Sequence, residues 1–102
     1  MTVTIQQAAA RIRAAYHPAQ ILLVGSWARG DATEGSDIDL VVLFDHPVDW
    51  RMAGQIRSVL RGLPASFDVF TTSRDAWESG TRDAVSFEYA LSADAVVLDA
   101  AA

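Results

Sequence analysis

Gly25-Ser26-Trp27-Ala28-Arg29-Gly30, followed after a polar stretch by Ser36-Asp37-Ile38-Asp39-Leu40-Val41-Val42, decides how this chain reads. The apolar run at residues 21–24 just ahead of it has the composition of a buried strand that stops at a Gly-Ser turn, and the residues beyond the turn can open a short helix. Free backbone N–H groups at such a turn suit phosphate oxygens. Ten residues separate Ser26 from Asp37, and Asp39 lies two further on at the head of a second strand. Alternate side chains of a strand share one face, so both carboxylates point the same way.

Working outward, residues 4–16 place Ile5, Ala8, Ala9, Ile12 and Tyr16 at helical spacing, and Pro18 closes that helix. Residues 30–36, rich in Gly, Asp, Thr and Ser, form a loop. Residues 38–44 make the strongest strand, with Ile38, Leu40, Val42 and Phe44 on one face and Asp37, Asp39, Val41 and Leu43 on the other. After the Asp45-His46-Pro47 turn, Asp49 caps a helix whose apolar positions are Met52, Ile56, Val59, Leu60 and Leu63, ended by Gly62 and Pro64. Residues 67–71 form a third strand, in which Asp68 and Phe70 share a face. A short helix starting at Ser73 and broken by Gly80, a helix over 83–91 and an edge strand at 96–98 complete the expectation.

At 102 residues with 51% hydrophobic content, the chain is expected to be a single domain spanning 1–102 with one modest core. Eight basic against thirteen acidic residues give a net charge of −5, which offers no basic field for long DNA or RNA. With no cysteine there are no disulfides and no thiolate metal sites. No membrane-length apolar run is present, so no membrane partner is expected and the cytoplasm is the expected compartment.

Transfer of a nucleotidyl group from a nucleoside triphosphate displaces pyrophosphate, and its transition state concentrates negative charge on oxygens that must be positioned and neutralised. Two divalent ions about 3.5–4 Å apart can clamp the attacking and leaving oxygens, which calls for converging carboxylates as hard ligands. Asp37 and Asp39 supply a pair. Asp68, where the local pattern predicts an apolar residue, is the candidate third ligand and base, and Phe70 on its face argues that it is partly covered. Gly25 and Ser26 would hold the triphosphate, Gly allowing close backbone approach. Arg29 has two readings, a phosphate contact or a brace for the turn through a carboxylate.

These residues resemble the signature of the DNA polymerase β-like nucleotidyltransferase superfamily: Gly-Ser, about ten residues, Asp-x-Asp on a strand, and a downstream carboxylate. A chance match to Gly-Ser-x10-Asp-x-Asp in so short a chain is about one in a thousand at average residue usage. The resemblance is to the minimal nucleotidyltransferase branch and runs from the first helix to Leu98. It implies an α/β (α+β) fold with a small mixed sheet flanked by helices, Mg²⁺ as the metal with two ions, ATP as the donor, and Asp37, Asp39 and Asp68 as catalytic metal ligands. It also implies transfer of AMP to a hydroxyl acceptor, with a HEPN-type ribonuclease toxin as partner and a toxin tyrosine as the modified group, the chain acting as antitoxin.

Two rival functions stay in view: a non-catalytic antitoxin that neutralises its partner by docking, and a catalytic subunit acting on a small molecule or an RNA end within a homo- or hetero-oligomer. Trp27 reads as packing rather than base stacking. His17 and His46 are too far apart in sequence to suggest a histidine metal site. Arg51, Arg57 and Arg61 sit on the polar side of their helix, where a solvated face is the ordinary reading and a partner-binding patch the other.

Overall fold

The computed structural model describes residues 2–100; Met1, Ala101 and Ala102 of the expected 1–102 domain lie outside the described residues. The elements in order are α1 (Thr2–Tyr16), β1 (Gln20–Val24), α2 (Ser26–Arg29), β2 (Ile38–Phe44), α3 (Arg51–Val59), β3 (Phe67–Ser73), α4 (Arg74–Thr81), α5 (Phe87–Ser92) and β4 (Val96–Ala100). The sheet has four strands in the order β3-β2-β1-β4. β1 pairs antiparallel with β2 and with β4, whereas β2 and β3 run parallel. The expected mixed sheet flanked by helices is the observed architecture.

Both faces of the sheet are covered, which explains why the central strands are apolar on both sides. On one face Ile5, Ala8, Ala9 and Ile12 of α1 and Ile56 of α3 pack on Ile21, Leu23, Ile38, Leu40, Val42, Phe44 and Val69. On the other face Trp77 of α4 packs on Leu22, Val24, Val41 and Leu43, with Phe70 and Leu91 against them. Ile12, Ile38, Val42 and Ile56 have no exposed surface. Burying each side chain of this size stabilises the fold by about 1.5–3 kcal/mol.

Several boundaries differ from the sequence expectation, each for a physical reason. The third helix ends at Val59 rather than near Gly62, because Arg11 donates to the carbonyls of Val59 and Arg61 and satisfies the chain end there. At its start the capping position is held by Trp50, which makes no side-chain cap bond, rather than by the expected Asp49; from one residue further back the Asp49 carboxylate accepts the Arg51 backbone N–H at 2.9 Å. β3 continues past residue 71 to Ser73, drawn on by parallel pairing that extends to Phe44. Gly80 does not break α4, which runs to Thr81. A side chain at Gly80 would overlap the Glu88 carboxylate, so that glycine serves the close approach of α5. α5 begins at Phe87 rather than 83, with the Ser86 hydroxyl accepting the Tyr89 N–H at 2.9 Å.

Candidate active site

The site forms where β1 ends and β2 and β3 begin. Antiparallel pairing sets Val24 opposite Asp39, and parallel pairing sets Asp39 opposite Asp68. The turn after Val24 therefore lies beside one carboxylate, and the other comes from the next strand. Residues 29 positions apart in sequence become lateral neighbours on one face through register alone.

Gly25 adopts φ 75° and ψ −153°, a conformation essentially confined to glycine. A methyl group there would overlap the Asp39 carboxylate, standing 3.2 Å from its Cγ. The Gly25 carbonyl accepts from Ala28 at 3.1 Å and Arg29 at 3.0 Å, which folds the next residues into the short helix α2. The backbone N–H groups of Ser26 and Trp27 donate to no acceptor among the described residues. Gly30 ends α2 in the left-handed conformation, its N–H bonded to the Ser26 carbonyl.

The carboxylates differ in setting. Asp39 is half-buried, whereas Asp37 and Asp68 are exposed. The expectation that Phe70 covers Asp68 is thus corrected: Phe70 turns into the apolar cluster and against Phe87, with ring centroids 5.1 Å apart, and leaves Asp68 open to solvent. Burial pushes the Asp39 carboxyl above its ordinary range; the charges of Asp68 and then Asp37 push it further, and Arg29 opposes them. The charges of the other two carboxylates and of Arg29 thus all act on Asp39. Among the described residues no group of three His, Asp or Glu side chains is gathered into an arrangement that could hold a metal ion. The donor set, all hard carboxylate oxygens that repel one another, nonetheless has the chemistry that suits Mg²⁺.

Arg29 pairs with Asp31, Nε to Oδ2 at 3.2 Å, so the bracing role is the one observed. Both side chains are about half exposed or more, and a surface pair of this kind is worth about 0–1 kcal/mol, weak enough to exchange for a phosphate. Trp27 packs against the core, and its indole N–H donates to the Ser36 carbonyl at 3.2 Å. Ser36 also closes a turn with Thr33, which shapes the approach to Asp37.

Beside Asp39 and Asp68 lies a cavity of about 320 Å³ whose other walls include Val24, Val41, Phe70, Phe87 and Leu91. Sequence reasoning missed Phe87 and Leu91. They lie one helical turn apart on α5, and nothing in their local pattern announces that α5 folds back over the carboxylate end of the sheet.

The profile of the nucleotidyltransferase domain family matches residues 5–93. The chain belongs to this family. No curated protein gives a significant match. Among solved structures, this nucleotidyltransferase domain is similar to a Sulfolobus solfataricus protein taken to be a nucleotidyltransferase, at 20% identity and TM-score 0.59, covering 95% of this chain and 78% of the other. It is also similar to a chain from a toxin-antitoxin structure with AMP-PNP, at 17% identity and TM-score 0.63, covering 94% of this chain and 73% of that one. At these identities the likeness is one of fold. Among the described residues no helix of the domain is long and apolar enough to cross a membrane.

Proposed function

We propose that this nucleotidyltransferase domain moves AMP from ATP to a hydroxyl of a partner protein, a tyrosine of a HEPN-type toxin, and so acts as its antitoxin in the cytoplasm. The observation that carries this reading is the cavity in which Asp39 and Asp68 meet the apolar and aromatic wall of Val41, Phe70, Phe87 and Leu91. An aromatic ring matches such a wall, and its hydroxyl would then lie beside the carboxylates. A sugar hydroxyl carried by no aromatic group would leave that wall without a partner. The fold likeness to a chain of a toxin-antitoxin structure with AMP-PNP supports the same partner class and donor.

In this scheme the N–H groups of Ser26 and Trp27, with Gly25 admitting close approach, bind the β- and γ-phosphates. Arg29 leaves Asp31 to meet the triphosphate. Asp37, Asp39 and Asp68 would hold two Mg²⁺, which when bound neutralise the triphosphate and favour the ionised acceptor hydroxyl. Asp68, open to solvent on the acceptor side, takes the hydroxyl proton. The acceptor oxygen bonds to the α-phosphorus, the bond to the α,β-bridging oxygen breaks, and pyrophosphate leaves with that electron pair.

The test incubates the protein with its partner, Mg²⁺ and ATP labelled at the α-phosphate. Label on a partner tyrosine, lost in the Asp37→Ala, Asp39→Ala double variant, supports the scheme. Neutralisation of the toxin by that double variant with no label would overturn it in favour of docking.

A further inference from the structure

Residues 50–67 contain Arg51, Arg57 and Arg61 and no acidic residue, so this stretch carries +3 while the rest of a chain of net charge −5 carries −8. All the basic residues of the chain are arginines. On α3 the apolar side, centred on Ile56, is spent on the core, Arg51 and Arg57 are exposed on the other side, and Arg61, just past the helix end, is exposed as well. Arg51 has Asp49 at 3.7 Å, but among the described residues neither Arg57 nor Arg61 has a carboxylate partner. Both are exposed, so their charge is open to a partner.

The surface around them has shape as well as charge. One open cleft of about 380 Å³ is lined by Trp50, Arg51, Gly54, Gln55, Arg57 and Ser58. A second, of about 220 Å³, includes Arg57, Leu60, Arg61 and Phe67. Arg57 lines both, with its guanidinium lying back toward Gly54, where a Cβ would stand 3.8 Å from Nη2. Trp50 is 83% exposed and has the Arg51 guanidinium 5.7 Å from its ring centroid. An indole this exposed gains little for the isolated fold, whereas Trp and Arg are each enriched among the residues that anchor protein interfaces.

We propose that the outer face of α3 and its two flanks, with Trp50, Arg51, Arg57 and Arg61, is a docking surface for an acidic segment of a partner protein. Helical rise separates Arg51 from Arg57 by about 9 Å, and Arg61 follows two residues past the end of α3. Arg57 and Arg61 border the same cleft, so carboxylates one helical turn apart on a partner helix can reach both, each guanidinium taking one in a two-point contact. Charge complementarity selects an acidic protein segment over nucleic acid. Three arginines neutralise a short cluster of carboxylates, but a longer phosphate backbone would run onto the acidic remainder of the surface. The inference concerns binding alone and stands whether or not the nucleotidyl-transfer scheme is correct.

The test is fluorescence anisotropy at low salt with a labelled helical peptide bearing Glu at i and i+4. Single-stranded oligouridylate and anionic vesicles serve as the other probes. The wild-type chain is expected to bind the peptide, with affinity falling as salt rises, and to bind it more tightly than the other two. Arg57→Gln with Arg61→Gln should weaken peptide binding about tenfold or more, and Trp50→Ala by a similar factor. Arg82→Gln, outside the patch, should leave it within twofold of wild type, about the spread of a neutral surface change. Because all these side chains are exposed, unchanged circular dichroism is expected for every variant. Absence of peptide binding, equal binding by the patch variants, or tighter binding of RNA or vesicles would overturn the proposal.

Discussion

Replacing Gly25 by alanine probes the junction on which the site depends. Its φ of 75° and ψ of −153° lie where a residue with a Cβ is strained by about 1–3 kcal/mol. The new methyl would also overlap the Asp39 carboxylate, which ends a side chain of only two torsions and can turn away at a cost of about 0.5–1.5 kcal/mol. Together these give a loss of about 1.5–4.5 kcal/mol, a large share of the roughly 5–15 kcal/mol typical of a domain. At about 4–8 °C per kcal/mol, the melting temperature should fall by on the order of 10 °C or more. Urea unfolding at constant m-value measures the loss directly. The two contributions separate in a double-mutant cycle: in an Asp39→Ala background the overlap with the carboxylate disappears and the backbone strain remains, so the cost of Gly25→Ala should drop by about 1 kcal/mol and no more. A single-variant loss below about 0.5 kcal/mol would refute the backbone argument. Complete disappearance of the cost in the Asp39→Ala background would refute the division between strain and overlap. Catalytically, displacing the carboxylate by about 1 Å should reduce transfer about a hundredfold.

Asp39→Asn should stabilise the chain at neutral pH in the presence of a chelator, while abolishing transfer. The folded-state pKa of Asp39 lies above its unfolded value of 3.8, so the folded chain holds more protons just above that pH and stability falls as pH rises through the folded pKa. The asparagine variant lacks this slope; melting temperatures measured from acid to neutral pH should show its advantage growing with pH, and a variant less stable than wild type at neutral pH would contradict the electrostatic reading. Ser86→Ala removes the cap of α5 and the bond its hydroxyl donates to the Gly80 carbonyl, for an expected loss of about 1–2 kcal/mol by urea unfolding. Faster amide exchange across residues 87–92 should accompany it, and unchanged exchange would show that the cap is idle. Trp27→Phe keeps a ring in the core but deletes the donor to the Ser36 carbonyl. Stability should fall by about 0.5–1.5 kcal/mol, and Mg²⁺ should raise the melting temperature less than in wild type, because the approach to Asp37 is loosened; an equal rise would sink the idea that Trp27 supports Asp37.

Much of the fold was legible because local pattern and tertiary context agree. Residues 38–44 are apolar at every position but Asp39, yet the strand period of two alone separates Ile38, Leu40, Val42 and Phe44 from Val41 and Leu43, and they enter different clusters. Where local chemistry and packing disagreed, reading failed. Gly80 carries the mark of a helix breaker, yet α4 continues through it, since the position is set by its contact with Glu88 on the next helix. Asp68 looked covered because Phe70 shares its face, but Phe70 leans toward Phe87, a ring that the sequence places seventeen residues away.

The sequence by itself determined the chemical inventory: a glycine that can hold a positive φ, a pair of acids on one strand face, and apolar strands that require cover on both sides. These are properties of single residues and of their spacing along one element, so no long-range information is needed to see them. Only the tertiary structure decided that Asp68 stands beside Asp39, that α5 supplies the apolar wall of the cavity, and that Arg57 and Arg61 lack carboxylate neighbours. Strand register, helix docking and charge neutralisation depend on which distant segments meet, and a linear pattern carries no record of that.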